Sequence, residues 1–188
     1  RAYMDMVRKY APNGEKVVLA SLCSYIGIRQ TYQIKSRYKC TEDEILSGKR
    51  FDDAILNGTY CLDVHHNADM DSGVTLKYLN GESRVHHGAN QANESGRWRE
   101  VTEKNPLFYQ IPYRAIIPEK FDNLLMCGRM IDAENSAYGA IRVMVNANQL
   151  GEAAGVAAAI CVNENCNTYD VDTVKLRELL KKGGSIVI

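Results

Sequence analysis

Several short stretches in the first half of the chain alternate apolar and polar residues with a period of two. This pattern is typical of β-strands with one buried face. In the stretch 29–40, for example, Tyr32, Ile34 and Tyr38 are separated by even numbers of positions. This alternation predicts a strand over 29–40. The segment 17–28 is apolar enough for one strand or two short ones, and TYCLDVH at 59–65 also resembles a strand.

Helical signals are fewer and more local. Thr41 followed by Glu44 is a capping box and Gly48 is a natural stop, so a short helix is predicted over 42–47. A long helix is predicted to begin near Asn146 and to include LGEAAGVAAAIC, in which seven of twelve residues are Gly or Ala. Such a helix has little side-chain thickness, so another backbone or a flat ligand can approach it closely. Two further helical segments are predicted: a brief turn at DDAIL, 52–56, and an amphipathic helix that starts at Asp172.

A polar segment, 67–105, lies between the strand-like and helical patterns. It is rich in Asn, Gly, Ser and charge, which predicts a surface insertion with a hairpin around 74–79 and a second one near 98–101. After it, LFYQIPYRAIIP predicts extended structure broken by two prolines. The segment NLLMCGRMI, 123–131, predicts an apolar strand over 123–127 that ends in a Gly-Arg turn.

Composition and charge narrow the functional classes. The 188 residues suffice for one domain, or for one and part of another, and 23 basic residues balance 23 acidic ones. A zero net charge argues against binding nucleic acid through bulk charge. The most apolar stretch contains Glu152 and is too short for a membrane span. Because the sequence begins at Arg1, we expect a piece of a longer protein, with a cytoplasmic location favoured and export left open.

Cysteine and histidine give weak signals. None of the six cysteines forms a CxxC pair, so reduced thiols are favoured, although one or two disulfides are compatible with the even count. The pairs His65-His66 and His86-His87 match no known zinc spacing, and adjacent strand residues point to opposite faces. We therefore interpret these histidines as solvated loop residues and predict no metal site.

The stretch 121–162 carries the best candidate for chemistry. GxGxxG, GxxxxGK[ST], HExxH and GxSxG motifs are all absent from the sequence. A strand, a Gly-Arg turn and the N-terminus of a Gly/Ala-rich helix nevertheless suit a cofactor, because the first-turn amides are free donors. Physical reasoning alone leaves this open against a simpler alternative, a tightly packed internal helix with a glycine-eased loop.

Two blocks of the sequence resemble a family of FAD-dependent oxidoreductases with the glutathione-reductase-like flavoprotein fold. The first, GIRQTYQIKSRYKCTEDEILSGKRFDDAILNGTYCLDVHH, resembles the family's GIRExR stretch and its Y.LTEEDVLSGRRF.DAI..G.Y..D.H pattern. The second, from FYQIPYRAIIP to LGEAAGVAAAI, resembles Y.IPYR.L.P...DNLLVAGR followed by RVM and LGQAAG. The resemblance implies an α/β (α+β) chain, the C-terminal portion of an FAD/NAD(P)-binding-type flavoprotein.

The resemblance also implies which residues contact FAD. Gly128 and Arg129 match the family's GR turn, which lies against the ribityl and pyrophosphate. Arg142, Val143 and Met144 match RVM beside the flavin ring. Together with Asn146 at the start of the helix, Gly151 of LGQAAG and Arg29 of GIRE, they form the implied cofactor-binding set: Gly128, Arg129, Arg142, Val143, Met144, Asn146, Gly151 and Arg29.

The sequence also departs from the family pattern. Gln30 replaces the usual Glu, and the usual His of S.THVA is replaced by Asn135 or a neighbour, so no catalytic residue is assigned. The glycine fingerprint of the dinucleotide-binding half is absent, and we expect it on a segment that precedes Arg1 in the intact protein.

The expected organisation has three parts. Residues 1–118 form a β-rich substrate or cap segment with the surface insertion 67–105, residues 119–163 form the FAD-contacting strand, loop and helix, and residues 164–188 form a tail helix. The implied reaction is hydride transfer at flavin N5 on an unidentified small-molecule substrate, with the isolated piece inactive. A non-catalytic packing domain and a carbohydrate-active protein stay as alternatives, and homo-oligomer formation is left open.

Overall fold

Antiparallel strands and five α-helices make up the computed structural model, which describes residues 1–30, 32–66, 73–88 and 91–188. Within these ranges the strands are β1 (Ala54–Gly58), β2 (Leu62–His65), β3 (Val74–Lys77), β4 (Glu82–His86), β5 (Glu94–Arg97) and β6 (Tyr109–Pro112). The α-helices are α1 (Ala2–Tyr10), α2 (Glu42–Ser47), α3 (Asn135–Ile141), α4 (Met144–Glu164) and α5 (Thr173–Lys182). The mixed α/β class expected from the sequence is therefore confirmed.

The strands form two separate sheets. β1 and β6 pair as a two-stranded antiparallel ribbon, with Leu56 opposite Ile111 and a bulge next to Ala54. β2, β3, β4 and β5 form a four-stranded meander in sequence order, in which β2 is an edge strand. The free side of β2 is covered by α3, and this contact places the end of β2 next to the candidate site.

The hydrophobic core lies between the β1–β6 ribbon and helices α3, α4 and α5. Leu150, Ala153, Ala157 and Ile160 of α4 are spaced by three, four and three positions, so they share one face of the helix and are buried there. The opposite face of α4, which includes Gly151 and Gly155, is exposed in this chain.

Helix α2 confirms its prediction from the capping box. The Thr41 side chain accepts from the Glu44 amide, the Glu44 carboxylate accepts from the Thr41 amide, and Gly48 ends the helix in the left-handed region at φ 65°. Burial disfavours the charged form of Glu44, but hydrogen bonds from Lys49, Tyr38 and the Thr41 amide outweigh it and lower the pKa of this carboxyl. The charged form of Glu44 therefore stabilises this part of the fold.

Other predictions from the sequence are also confirmed. Asp172 caps α5 by accepting from the amides of Val174 and Lys175. The TYCLDVH segment contains β2, the hairpin around 74–79 is formed by β3 and β4, and the long Gly/Ala-rich helix is α4, which begins at Met144.

Several strand predictions are wrong. Segments 17–28, 29–40 and 123–127 contain no strand in the described residues; isolated bridges at Ser36 and Cys40 are the only ladder-type pairings in them. Tyr25 and Ile26 are 89% and 88% exposed, and no strand among the described residues pairs with 17–28. An apolar segment needs a second strand beside it to form a sheet, so 17–28 forms no strand without one.

The remaining errors concern local type. DDAIL lies in a turn and in strand β1, not in a helical turn, because Ala54–Gly58 pairs with β6. Residues 135–141, expected as loop, are helix α3, and the polar start of the chain forms α1. No strand lies at 98–101; the last strand of the meander is β5 instead. The insertion also adds Leu79 to the core.

Candidate functional site

Two consecutive helices meet at the site. α3 ends at Ile141 and α4 begins at Met144, so only Arg142 and Val143 connect them. No side chain caps the start of α4. The amides of Asn146 and Ala147 donate to the Val143 carbonyl, so the amides of Met144 and Val145 are the first-turn donors left for a ligand. The connection therefore holds the Arg142 guanidinium beside an uncapped helix N-terminus.

The Gly-Arg turn forms a second wall. Gly128 adopts φ 74°, in the left-handed region that favours glycine, and begins a single 3-10 turn through Met130. A Cβ placed at Gly128 would meet nothing within 4 Å, so the backbone at this position is open.

Tyr138 of α3 ties this turn to the segment that carries Arg29. Its buried hydroxyl lies 2.8 Å from the carbonyl oxygens of both Arg29 and Arg129 and is the donor available to them. Arg129 in turn donates to the carbonyl of Ile28. Burial raises the pKa of the Tyr138 hydroxyl, against the opposing effect of Arg142 and Arg129, so it remains a protonated donor at neutral pH. Two sequence-distant segments are thus held side by side.

The end of β2 supplies the third wall. Arg142 donates to Asp63 Oδ2 at 3.1 Å, in an ion pair whose side chains are 10% and 14% exposed. The other oxygen of Asp63, Oδ1, lies 3.2 Å from His65 Nε2, and the same ring nitrogen lies 3.2 Å from an Arg29 guanidinium nitrogen. A chain of polar contacts therefore runs from Arg142 through Asp63 and His65 to Arg29.

Together these walls enclose a cleft of about 810 Å³. It contains three guanidinium groups and one carboxylate, together with the start of α4. The lining residues are Arg29, Tyr60, Asp63, Gly128, Arg129, Arg142, Val143, Met144, Ala147 and Asn148.

Six of the eight residues predicted for the cofactor lie in this cleft. They are Arg29, Gly128, Arg129, Arg142, Val143 and Met144. The other two lie elsewhere on α4. Asn146 is 1% exposed, and its side-chain amide donates to the Tyr109 hydroxyl at 3.0 Å and to the Ala140 carbonyl at 2.9 Å. Asn146 therefore fixes the start of α4 against α3 and β6.

Gly151 lies about two turns into α4, on the exposed face of the helix. A Cβ placed there would meet nothing within 4 Å in this chain. The Gly/Ala-rich sequence predicts that another backbone, such as the expected strand over 123–127, can approach α4 closely. At Gly151 this is wrong for the described residues, because 123–127 forms no strand and nothing lies within 4 Å of the added Cβ.

Asp63, His65, Tyr60 and Tyr138 are the site residues that the sequence analysis missed. Asp63 and His65 are two positions apart on β2 and so share a face, which was the signal that could have found them. Treating His65 as a solvated loop residue was wrong, since it is half-buried at the end of β2. Nothing local in the sequence singles out Tyr138, because one of the two carbonyls that its hydroxyl contacts, that of Arg29, lies 109 positions away along the chain.

Comparison with known proteins identifies the family. The sequence model of the FAD dependent oxidoreductases matches residues 1–180. The chain belongs to this family. No curated protein and no solved structure is significantly similar to the chain. Membership makes FAD the expected cofactor, and it confirms the family indicated by the two sequence blocks without distinguishing a glutathione-reductase-like subgroup.

The cleft fits the cofactor of FAD dependent oxidoreductases chemically. FAD carries a pyrophosphate and a flavin ring that gains negative charge on reduction, and guanidinium groups and helix N-termini are suited to both. The open left-handed backbone at Gly128 allows close approach by a ligand. Among the described residues, no helix is long and apolar enough to cross a membrane, and no group of three metal-ligating side chains is present.

Proposed function

We propose that the chain forms the flavin-facing part of an oxidoreductase. When bound, FAD supplies hydride chemistry at N5 of its flavin ring. The contribution of the chain is to hold the ring, to place positive charge beside it, and to keep the reacting groups in fixed positions. A single observation carries this proposal: three arginines, an open left-handed glycine and an uncapped helix start meet in one cleft.

Each wall of the cleft has its own part in the proposal. Gly128 lets the ligand approach the backbone, and Arg129 offers charge at the same turn. Arg142 and the free amides of Met144 and Val145 at the start of α4 stabilise negative charge that develops on the pyrimidine side of a bound ring. Since Asp63 already pairs with Arg142, the guanidinium keeps one orientation while the cleft is being filled.

The proposal includes a second polypeptide unit. The sequence contains no glycine fingerprint for the adenosine and pyrophosphate end of FAD, so a dinucleotide-binding unit of the same protein is needed. The exposed apolar residues of 18–28 and the exposed Gly/Ala face of α4 are surfaces that such a unit would cover. By this reasoning residues 1–188 alone bind FAD weakly and are inactive.

A non-catalytic packing role is the second candidate, and the same exposed apolar surfaces favour it. It differs in one respect that can be measured. A packing domain needs the surface of α4 but not the cleft, whereas an oxidoreductase needs the backbone of Gly128 to stay open.

Gly128→Ala separates the two candidates. The matched control is Gly184→Ala, because Gly184 also has a positive φ, 100°, and open space around its Cβ, but lies at the C-terminus away from the cleft. FAD binding to the chain is measured by flavin fluorescence. We expect weak binding, with Kd above about 1 µM, that Gly128→Ala weakens about tenfold and Gly184→Ala leaves unchanged.

Two outcomes would count against the proposal. Equal effects of the two substitutions on FAD binding would place the ligand outside the cleft. Submicromolar affinity of the chain by itself would show that no dinucleotide-binding unit is required.

A further inference from the structure

A smaller pocket adjoins the cleft on the β2 side. Its volume is about 260 Å³, and it is lined by Arg29, Gln30, Asp63, Val64, His65, Asn135, Tyr138, Gly139 and Arg142. We call it the His65 pocket. We propose that the His65 pocket binds a small polyhydroxy carboxylate, of the sugar-acid class, as the substrate of the oxidoreductase; this inference rests on the proposed function.

Charge in the His65 pocket favours an anion. The two oxygens of Asp63 are engaged by Arg142 and His65, so the carboxylate and the Arg142 guanidinium neutralise each other. The exposed guanidinium of Arg29 contacts His65 and pairs with no carboxylate of the described residues, so it contributes a positive charge to the pocket. A planar guanidinium binds a carboxylate through two parallel hydrogen bonds, which makes it the natural anchor for this ligand.

His65 gives the pocket a proton acceptor. Its Nε2 is 3.2 Å from both Arg29 and Asp63, yet it can satisfy only one of them. When Nε2 carries a hydrogen, it donates to the Asp63 carboxylate. When Nε2 carries no hydrogen, it accepts from the Arg29 guanidinium. A ligand carboxylate that draws Arg29 away from the ring leaves Nε2–H donating to Asp63, and Nδ1 is then an acceptor for a ligand hydroxyl.

The remaining lining suits several hydroxyl groups. Gln30 and Asn135 offer amide donors and acceptors. Val64 supplies the only aliphatic side chain of the lining, since Gly139 has none. The volume is below that of typical drug-sized sites, so a small ligand is indicated. Arg29, Asp63 and Arg142 line both the pocket and the larger cleft, so a ligand held here lies directly beside the cofactor cleft.

Three six-carbon compounds test the inference on the full chain. D-Gluconate has a carboxylate and five hydroxyls, hexanoate has only the carboxylate, and sorbitol has only hydroxyls. Binding is followed by calorimetry and by the NMR shifts of the His65 ring. We expect gluconate to bind at least about tenfold more tightly than either other compound, and to shift the His65 resonances.

Variants then assign the contacts. Arg29→Gln should weaken the binding of gluconate about tenfold and leave the binding of sorbitol unchanged. Arg29→Lys should restore part of the lost affinity, because lysine keeps the positive charge but lacks the two parallel N–H donors of the guanidinium. His65→Leu should weaken the binding of gluconate but not the binding of hexanoate. Arg84→Gln on β4, an exposed arginine outside the pocket, is the control. Circular dichroism checks that each variant is folded.

The outcomes separate this inference from the proposed function. Equal binding of the three compounds, or gluconate binding that is insensitive to Arg29 and His65, overturns the inference even if the chain binds FAD. Gluconate binding that depends on both residues supports the pocket whatever the affinity of this chain for FAD, whereas equal effects of Gly128→Ala and Gly184→Ala on FAD binding overturn the oxidoreductase proposal and leave the pocket standing.

Discussion

Two glycines in the middle of helices provide a direct test of how the site is built. Gly139 lies in α3 where this helix packs on β2, and Gly151 lies on the open face of α4. Replacing either glycine with alanine makes the same chemical change in the same secondary structure. We expect opposite effects on the free energy of unfolding, because the two positions differ in what a new Cβ would meet.

The size of each effect follows from the structure. Alanine is favoured over glycine in a helix interior by about 0.5–1 kcal/mol, and nothing within 4 Å opposes a Cβ at Gly151, so Gly151→Ala should stabilise by about that amount. At Gly139 a Cβ would lie 2.4 Å from the carbonyl oxygen of Asp63 and 3.0 Å from its amide nitrogen. These are backbone atoms, so α3 and β2 must move apart.

Overpacking of this kind costs about 1–3 kcal/mol, which exceeds the gain in helix propensity. We therefore expect Gly139→Ala to destabilise by about 1–2 kcal/mol. For a chain of this length, that lowers Tm by about 3–6 °C, while Gly151→Ala raises Tm by about 1–3 °C. The displacement also moves Asp63 relative to Arg142, so the variant should weaken FAD and gluconate binding together.

Urea and thermal unfolding followed by circular dichroism measure both variants against the wild-type chain. If Gly139→Ala and Gly151→Ala change the free energy of unfolding equally, then α3 does not contact the backbone of β2 as described, and the positions of Asp63 and His65 lose their support. A destabilising Gly151→Ala would instead show that the outer face of α4 is covered in solution.

Three further predictions concern stability and redox state. Asn146→Asp should destabilise the fold by about 3–5 kcal/mol, since it replaces a buried amide donor with an acceptor or a buried charge. Asn148→Asp, at an exposed position, is the control and should change stability by less than about 0.5 kcal/mol. Equal losses of unfolding free energy in urea would contradict this prediction. Glu44→Gln should lower the free energy of unfolding by about 1 kcal/mol at pH 7. The difference from wild type should disappear as the pH falls below about 4.5, because a carboxyl whose pKa is lowered in the folded state stabilises the fold only when ionised. A pH-independent difference would show that the charge of Glu44 does not stabilise this part of the fold. Cys161 and Cys166 lie together at the end of α4, where the Cys166 amide donates to the Cys161 carbonyl at 3.1 Å. They should form a disulfide with a disulfide oxidant such as oxidised glutathione, which releases two reduced thiols, and alkylation mapping that finds both cysteines still free would exclude this.

The parts of the fold that the sequence predicted are those set by neighbouring residues. The capping box and Gly48 define α2 within eight positions, and Asp172 defines the start of α5 in the same local way. The cofactor residues were located by resemblance to a family, and six of them lie in one cleft. For the two helices the information was contained in one short stretch each, and for the cofactor residues it was contained in two contiguous blocks of the sequence.

The parts that the sequence did not predict depend on partners that are distant along the chain. The pattern of 17–28 is that of a strand, but a strand forms only where another edge is available, and in this chain the segment is exposed. The predicted helical turn at 52–56 is wrong because Ala54–Gly58 pairs with β6, which lies more than fifty positions away along the chain. Helix α3 was missed because its burial depends on contact with β2 rather than on an amphipathic pattern of its own.

The placement of Asn146 shows how a site residue acts without facing the site. A match to a family block locates a residue along the chain, but the direction of its side chain is decided by packing. The amide of Asn146 is used inside the core by Tyr109 and Ala140, so its contribution to the cleft is the fixed position of the first turn of α4. Arg142 lies four positions earlier, and its side chain does face the cleft. The short connection between α3 and α4 leaves its guanidinium there, where the ion pair with Asp63 fixes it. A motif therefore identifies the elements that form a site, and only the long-range contacts of those elements determine which side chains a ligand can reach.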